Sequence, residues 1–389
     1  MQIHTVKKGD TVFKIARQHS ISPMKIIENN ELENPDRLTV GQKLLILNPT
    51  RTYTVRGSDN LRKIAERFDV DYDKLLANNP YLYGKEKLYP GQLLAIKYDA
   101  PKYGIAFANG YCYSDTTEDR LSLIMPYVIY LTVGAGKREG NKIKILFDDR
   151  SIINEAKKNG KKVLLRVYDD TEDFSEEYLD NILKSLKEKN YDGIMIASYK
   201  AQKNSAKKYA DFLLALRKLL MENDLLLFSE IDGNELSDVR DLCDGYTITY
   251  EKSGMSDIPD FESGEASMMR TFAENSESGK AYIDIPTTAY MGNEEILVSD
   301  VANLAYLAGQ EILYDDEKKI SYFNFNRYRA GQREPVRVAH ESLENLKAKL
   351  DLIGELGYMG ISFDIMKIPV EYLMMFEACF SHPKIYSDM

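Results

Sequence analysis

Tyr191-Asp192-Gly193-Ile194-Met195-Ile196-Ala197-Ser198-Tyr199 carries an unbroken apolar run at 194–197. A strand with one wet face alternates polar and apolar residues, whereas a run without alternation reads as a parallel strand covered on both faces. The covering elements are written on either side of it. Leu179, Ile182, Leu183 and Leu186 fall at helical spacing before the run, and Phe212, Leu213, Leu216, Leu219 and Leu220 repeat that spacing after it. Helix, strand, helix is one turn of an α/β repeat, and such folds keep their chemistry at the strands' C-terminal ends.

From Tyr103 onward the same texture continues. Candidate strands are Ile105–Ala108, Tyr127–Val133, Val163–Val167, Gly193–Ala197, Leu225–Ser229, Gly245–Tyr250, Ala281–Ile285 and Met359–Ile365, with helical patterns between most of them. Eight strands over roughly 280 residues predict a (β/α)8 TIM barrel, class α/β, across 102–389. After the seventh strand and a helix around Val301–Ala308, Ile320–Phe325 and Val336–Val338 read as antiparallel strands, a small α+β insertion.

The first hundred residues repeat themselves. His4-Thr5-Val6 recurs as Tyr53-Thr54-Val55, an offset of 53 − 4 = 49, and Asp10, Ile15-Ala16 and Asn29-Asn30 recur at the same offset as Asp59, Ile64-Ala65 and Asn78-Asn79. Each copy reads strand, helix, helix, strand, giving units at 1–48 and 51–98. In the first, Thr5-Val6 opens, Val12–His19 and Pro23–Asn29 are helical, and Leu44-Leu45-Ile46 closes.

These units resemble LysM modules, βααβ domains that bind N-acetylglucosamine-containing glycans such as peptidoglycan or chitin. The carrying motifs are His4-Thr5-Val6-Lys7-Lys8-Gly9-Asp10-Thr11-Val12 with Leu38-Thr39-Val40-Gly41-Gln42, and Tyr53-Thr54-Val55-Arg56-Gly57-Ser58-Asp59-Asn60-Leu61 with Leu88-Tyr89-Pro90-Gly91-Gln92. The resemblance implies sugar contacts at Gly9, Asp10, Thr11, Val12, Asn30 and Glu31. In the second copy it implies Ser58, Asp59, Asn60, Leu61, Asn79, Pro80 and Tyr81. Ser58 and Asn60 replace a usual glycine and threonine. Part of the motif has a structural use as well: Asp10 and Thr11 suit a helix N-terminus. Two modules in tandem gain by effective concentration.

The barrel strand at 193–197 resembles family 18 glycoside hydrolases, whose fourth strand carries Asp-Gly-φ-Asp-φ-Asp-φ-Glu (φ apolar). Asp192, Gly193, Ile194 and Ile196 match. Met195 and Ala197 stand where the second and third aspartates belong, and Tyr199 where the acid glutamate belongs. Thr249-Tyr250-Glu251 resembles the sixth-strand motif, whose tyrosine contacts the N-acetyl group, and so implies a barrel sugar site at Tyr250 and Glu251. Ile285-Pro286 resembles the seventh-strand Gly-Ile-Pro. Gly360-Ile361-Ser362-Phe363 resembles the eighth-strand motif, with Asp364 in place of its stacking tryptophan. The chain has no tryptophan at all.

A general acid needs a pKa near the working pH, and a tyrosine at about 10 is far from it. Other carboxylates at predicted strand ends are Asp169, Asp170, Glu230, Glu251 and Asp364, of which Glu230 and Glu251 are the candidate relocated acids. Tyr168, Tyr199, Tyr250 and Tyr290 could stack on sugar, although tyrosine is common here, with 27 in the chain.

Composition narrows the classes. A formal charge of −10 argues against a nucleic-acid groove and against a polybasic membrane anchor. Cys112, Cys243 and Cys379 are far apart and odd in number, and the four histidines show no ligand spacing, so no disulfide framework, metal or cofactor is expected. The N-terminus lacks an apolar signal segment, which predicts synthesis in the cytosol. Family 18 enzymes with LysM modules include those of bacterial spores, which makes a spore coat or cortex surface the expected location and coat proteins candidate partners.

Three readings follow from the sequence. One is a non-catalytic glycan binder with the barrel as scaffold or partner platform. The second is an N-acetylglucosaminidase- or chitinase-like hydrolase with a relocated acid. The third is a structural coat protein.

Overall fold

The computed structural model describes residues 1–82, 87–169, 171, 174–233, 242–250, 261–275, 278–329 and 331–381. Eight strands form the barrel: β1 Phe107–Cys112, β2 Tyr130–Glu139, β3 Lys162–Tyr168, β4 Gly193–Ala197, β5 Leu226–Asp232, β6 Gly245–Thr249, β7 Ala281–Asp284 and β8 Gly360–Asp364. Each is parallel to the next, and β8 pairs with β1 to close the ring. A ninth strand, Lys142–Ile145, runs antiparallel to the end of β2.

β4 shows why its sequence does not alternate. Ile194 and Ile196 point outward into the core shared with the helices. Met195 points inward and packs with Tyr111, Leu164, Phe228 and Tyr282 inside the barrel. Both faces are dry. The flanking helices are Glu176–Lys189, whose first turn is capped by the Ser175 hydroxyl accepting from the Tyr178 amide, and Ala206–Met221. The expected (β/α)8 barrel is present, with its first two strands starting later than the apolar runs suggest. Tyr127 reads as strand yet lies before β2, because its ring is buried and its hydroxyl donates to the Ala77 carbonyl of the second repeat unit at 3.0 Å. All three cysteines are buried and unpaired.

Between β7 and β8, Thr288–Met291, Glu294–Leu297, Leu313–Asp315, Ile320–Arg329 and Gln332–Glu341 form a five-stranded antiparallel sheet. Sequence placed the helix near 301–308 ahead of the insertion. Instead, helix Val301–Leu307 belongs to it, since Val301 and Ala305 pack with Ala289, Ile312, Phe323 and Val338 in a separate core.

Each repeat unit is a two-stranded sheet with two helices and its own small core. The first has strands Gln2–Thr5 and Lys43–Ile46 with helices Val12–His19 and Pro23–Asn29; the second has Arg51–Thr54 and Leu93–Lys97 with Leu61–Phe68 and Tyr72–Ala77. The two units touch through Lys25, which is buried, pairs with Glu28 at 2.8 Å, donates to Asn79 at 3.2 Å and lies over the Tyr81 ring. The second unit ties to the barrel through Lys74 with Glu377 at 2.5 Å and Asp73 with Lys161 at 3.2 Å. The first unit instead docks on the insertion: the Ile312 amide donates to the Val40 carbonyl at 2.8 Å, and the Thr39 hydroxyl to the Ala302 carbonyl at 2.7 Å.

Candidate functional site

The C-terminal ends of the strands open into a pocket of about 400 Å3. Of the residues nominated from sequence, Glu230, Tyr250, Tyr290 and Asp364 line it. Tyr111, Tyr113, Asp284, His340 and Glu341 line it too and were not nominated. Glu251 and Asp170 lie outside the described residues.

At the pocket an ion pair links β3 to β5. Arg166 on β3 is level with Met195, and Glu230 on β5 is level with Ala197. Arg166 reaches Glu230 with Nη2 at 2.7 Å and Nε at 2.8 Å, and the Tyr111 hydroxyl donates to the other Glu230 oxygen at 3.3 Å. Burial works against the Arg166 charge, but Glu230, with Tyr113 and Tyr111, holds its pKa above the ordinary arginine value. Both Glu230 oxygens are thus engaged, one by Arg166 and the other by Tyr111. Met195 is fully buried, with its sulfur 3.4 Å from the Tyr111 hydroxyl.

Tyr199 opens the short helix Tyr199–Asn204, with its hydroxyl 3.4 Å from the Thr249 hydroxyl. Burial first, and then the nearby Glu230, push its phenol further above 10, so it stays neutral and acts only through hydrogen bonds. Asp192 sits at the opposite end of β4, paired with Lys157 at 2.5 Å and accepting from the Val163 amide at 2.6 Å, a structural tie between β4 and β3. Asp169 is likewise held by Arg138 at 3.0 Å. Asp364 accepts from the Met366 amide at 2.9 Å and pairs with Lys367 at 3.3 Å.

Asp284 is the carboxyl of a different kind. Burial first, and then the charge of Glu230, push it up to about 8, and the Ser362 hydroxyl donates to it at 3.4 Å. The pocket thus holds an ion-paired carboxyl group and, beside it, a carboxylic acid that keeps its proton at neutral pH. Sequence did carry a signal. Asp284 immediately precedes Ile285-Pro286, where the family motif has glycine, and a charged residue there is a departure inside an otherwise matched stretch.

In the first repeat unit, Gly9 and Thr11 are exposed in the loop before the first helix, and Thr11 caps that helix by accepting from the Lys14 amide at 3.2 Å. The Lys7 amide, 2.8 Å from Asp10, and His4 hold the Asp10 carboxyl below the usual range. Val12 is buried in the unit's core. Asn30 spends its amide on the Ile26 and Leu45 carbonyls and the Leu45 amide, bracing a helix end against a strand. Glu31 turns outward at φ +47 and lies 3.5 Å from Arg120 of the barrel.

The second unit repeats the design. Asp59 accepts from the Tyr53 hydroxyl and the Arg56 amide, Asn60 caps its helix through the Lys63 amide, and Asn79 bonds the Leu75 and Ala95 carbonyls. Ser58 is exposed, while Leu61 and Pro80 are buried. Tyr81 donates to the Leu93 carbonyl at 3.0 Å and faces Lys25. Among the described residues no group of three or more His, Cys, Asp or Glu is placed to hold a metal ion, and no helix is long and apolar enough to cross a membrane.

Residues 4–47 and 53–97 each match the LysM domain. The cell wall-binding protein YocH of Bacillus subtilis is 30% identical over 109 residues, covering 27% of this chain and 37% of that protein. The matched region spans about a third to a half of the length of the curated relatives aligned across both modules. The spore cortex-lytic enzyme SleL of Bacillus megaterium superposes with a TM-score of 0.75 at 22% identity, over 98% of this chain and 99% of that one. A family GH18 chitinase from Cycas revoluta superposes at 0.57 and 11% identity, over 70% of this chain and 99% of that one. The chain is thus a pair of LysM domains followed by a (β/α)8 barrel with the fold of the spore cortex-lytic enzymes and family 18 chitinases.

Proposed function

We propose that this chain binds N-acetylglucosamine-containing glycan, peptidoglycan of the spore cortex or chitin, through its tandem LysM domains, with a barrel that holds glycan or partners without cleaving it. The carrying observation is the state of the three motif positions: Met195 is buried in the barrel interior, Ala197 has no acid, and Tyr199 is a neutral phenol. Losing a general acid alone costs about 10²–10⁴ in rate, and groups that act as a unit are not replaced singly. The relatives support the location, being named as a cell wall-binding protein and a cortex-lytic enzyme. A place at the spore coat or cortex surface, beside coat proteins, fits those names.

The test has two arms. Protein retained on insoluble peptidoglycan, with no turnover of labelled chitin oligomers or cortex muropeptides above a buffer blank, is the expected result. Absence of retention overturns the anchoring, and robust turnover overturns the non-catalytic barrel.

One observation favours the second reading, a hydrolase with a relocated acid. Asp284, raised to about 8 by burial and then by Glu230, lines the same pocket as that Arg166-paired residue, and a pKa near the working pH is what a general acid needs. In that case Asp284 rather than Glu230 or Glu251 donates the proton, and Asp284→Asn abolishes the turnover.

A further inference from the structure

The pocket above the barrel has a neighbour. The first LysM domain, the insertion and the barrel wall enclose a cleft of about 350 Å3, with Asn30–Asn34 on one side, Arg120 and Lys367 on another, and Ser321 and His340 of the insertion on a third. His340 and Glu341 line this cleft and the barrel-mouth pocket alike. The two cavities therefore share a wall at the end of the strand Gln332–Glu341.

At that shared wall one group lacks a partner and another keeps an open acceptor. Ser321 is level with His340 in the hairpin, is 1% exposed, and has no hydrogen-bond partner for its hydroxyl. His340 Nδ1 lies 2.7 Å from the Glu341 carbonyl, so the ring N–H is on Nδ1 and Nε2 is left as an acceptor. Burial holds the ring's pKa down at about 4, which keeps that lone pair available at neutral pH. An unpaired buried hydroxyl costs about 1–3 kcal/mol, a cost that a ligand hydroxyl or amide would remove.

Charge indicates what kind of ligand. Arg120 is paired with Glu31 at 3.5 Å, Lys43 with Glu344 at 2.7 Å, and Lys367 with Asp364 at 3.3 Å. Arg37 lies over the Tyr306 ring instead, and Glu31, Glu33, Asp300, Glu341 and Glu371 also line the cleft, so its lining does not favour a phosphate or carboxylate. Where the two cavities adjoin, the open groups are one hydroxyl and one neutral acceptor.

We propose that the cleft and the barrel mouth form one groove for a linear, uncharged oligosaccharide of N-acetylated hexosamine, which passes from the first LysM domain into the barrel across Ser321 and His340. The inference rests on the glycan-binding reading above and adds the path and the contact residues. Each cavity alone is at the small end of single-ligand sites, so the groove's use shows as a dependence on chain length.

The experiment is calorimetric titration of the full chain with the chitin dimer and hexamer. The hexamer is expected to bind about tenfold or more tightly than the dimer, as linked contacts do. Ser321→Ala is a small change that removes only the open hydroxyl, and it should weaken the hexamer by about fivefold, one hydrogen bond's worth. Ser321→Ala with His340→Phe should bring the hexamer close to the dimer and leave the dimer unchanged. Tandem domains alone could also favour a hexamer, but that advantage would survive both substitutions. A wild-type hexamer advantage that persists in the variants, or no advantage at all, overturns the groove. Retention on insoluble peptidoglycan separates the two ideas: retained protein without length dependence sinks the groove alone, and protein that neither is retained nor binds either oligomer sinks the glycan reading with it.

Discussion

Arg166 on the third barrel strand holds Glu230 on the fifth, with Nη2 at 2.7 Å and Nε at 2.8 Å, across a fourth strand that presents Met195 and Ala197 to the axis. In the layer where the resembled motif has carboxylates, this barrel carries an ion pair whose acid is 4% exposed and whose arginine is 19% exposed, so Glu230 has little water to replace its partner.

Breaking that pair on one side should be costly. Arg166→Met leaves Glu230 buried beside Tyr111 with no cation, and such losses run to about 3–5 kcal/mol. Arg166→Met with Glu230→Met should recover most of it, because apolar replacements of similar volume are often neutral. Urea unfolding of the two variants checks this, and a double variant no better than the single one would show that the pair is not the reason.

The same layer explains what sequence could and could not show. The unbroken run at 194–197 exposes the barrel because strand burial is written in local apolar order, and the LysM copies are legible because repetition needs no structure. Arg166, Glu230 and Asp284 lie on three strands separated by more than fifty residues. Nothing local says that they meet. The place of helix Val301–Leu307 within the insertion is hidden for a similar reason: an amphipathic helix declares its apolar face but not which sheet covers it.

Asp284 should make the fold pH-sensitive in an unusual direction. Its folded pKa of about 8 lies above the unfolded value of about 3.9. Between those values the folded state binds the extra proton, so stability falls as pH rises from about 4 to about 8 and levels off beyond, by at most about 1.4 kcal/mol per pH unit for one group. Glu371, also raised to about 8 by burial and then by Glu31, adds to the same window. Asp284→Asn removes one share of the slope and Glu371→Gln the other, as read from unfolding midpoints at pH 5, 7 and 9. An unchanged slope in both variants would show that neither acid is protonated in the folded protein.

Thr11 has two candidate roles that separate cleanly. Its hydroxyl caps the first helix, and losing such a cap costs about 1 kcal/mol. Thr11→Asp keeps the cap but puts a charge in the exposed loop, so the melt should hardly move while retention on peptidoglycan falls. Thr11→Ala should do the reverse. Unchanged retention in Thr11→Asp would leave Thr11 with capping alone.

The two LysM domains offer their own control for how the first one is attached. Gly41 and Gly91 occupy matching turns, with φ of +87 and +88, so a Cβ strains either backbone by roughly 1–2 kcal/mol. Their surroundings differ. A Cβ on Gly41 would lie 1.8 Å from the Ile312 carbonyl oxygen, whereas one on Gly91 meets nothing within 4 Å. Gly91→Ala should therefore show the backbone cost alone. Gly41→Ala must in addition push the Thr39–Gly41 turn off the insertion, breaking the Ile312–Val40 and Thr39–Ala302 hydrogen bonds. The expected signature is a larger drop in melting temperature for Gly41→Ala and faster proteolysis in the Asn48–Arg51 connection, with no such cleavage in Gly91→Ala. Equal behaviour of the two variants would mean that the first domain is not held by this turn, and the shared groove would lose one of its walls.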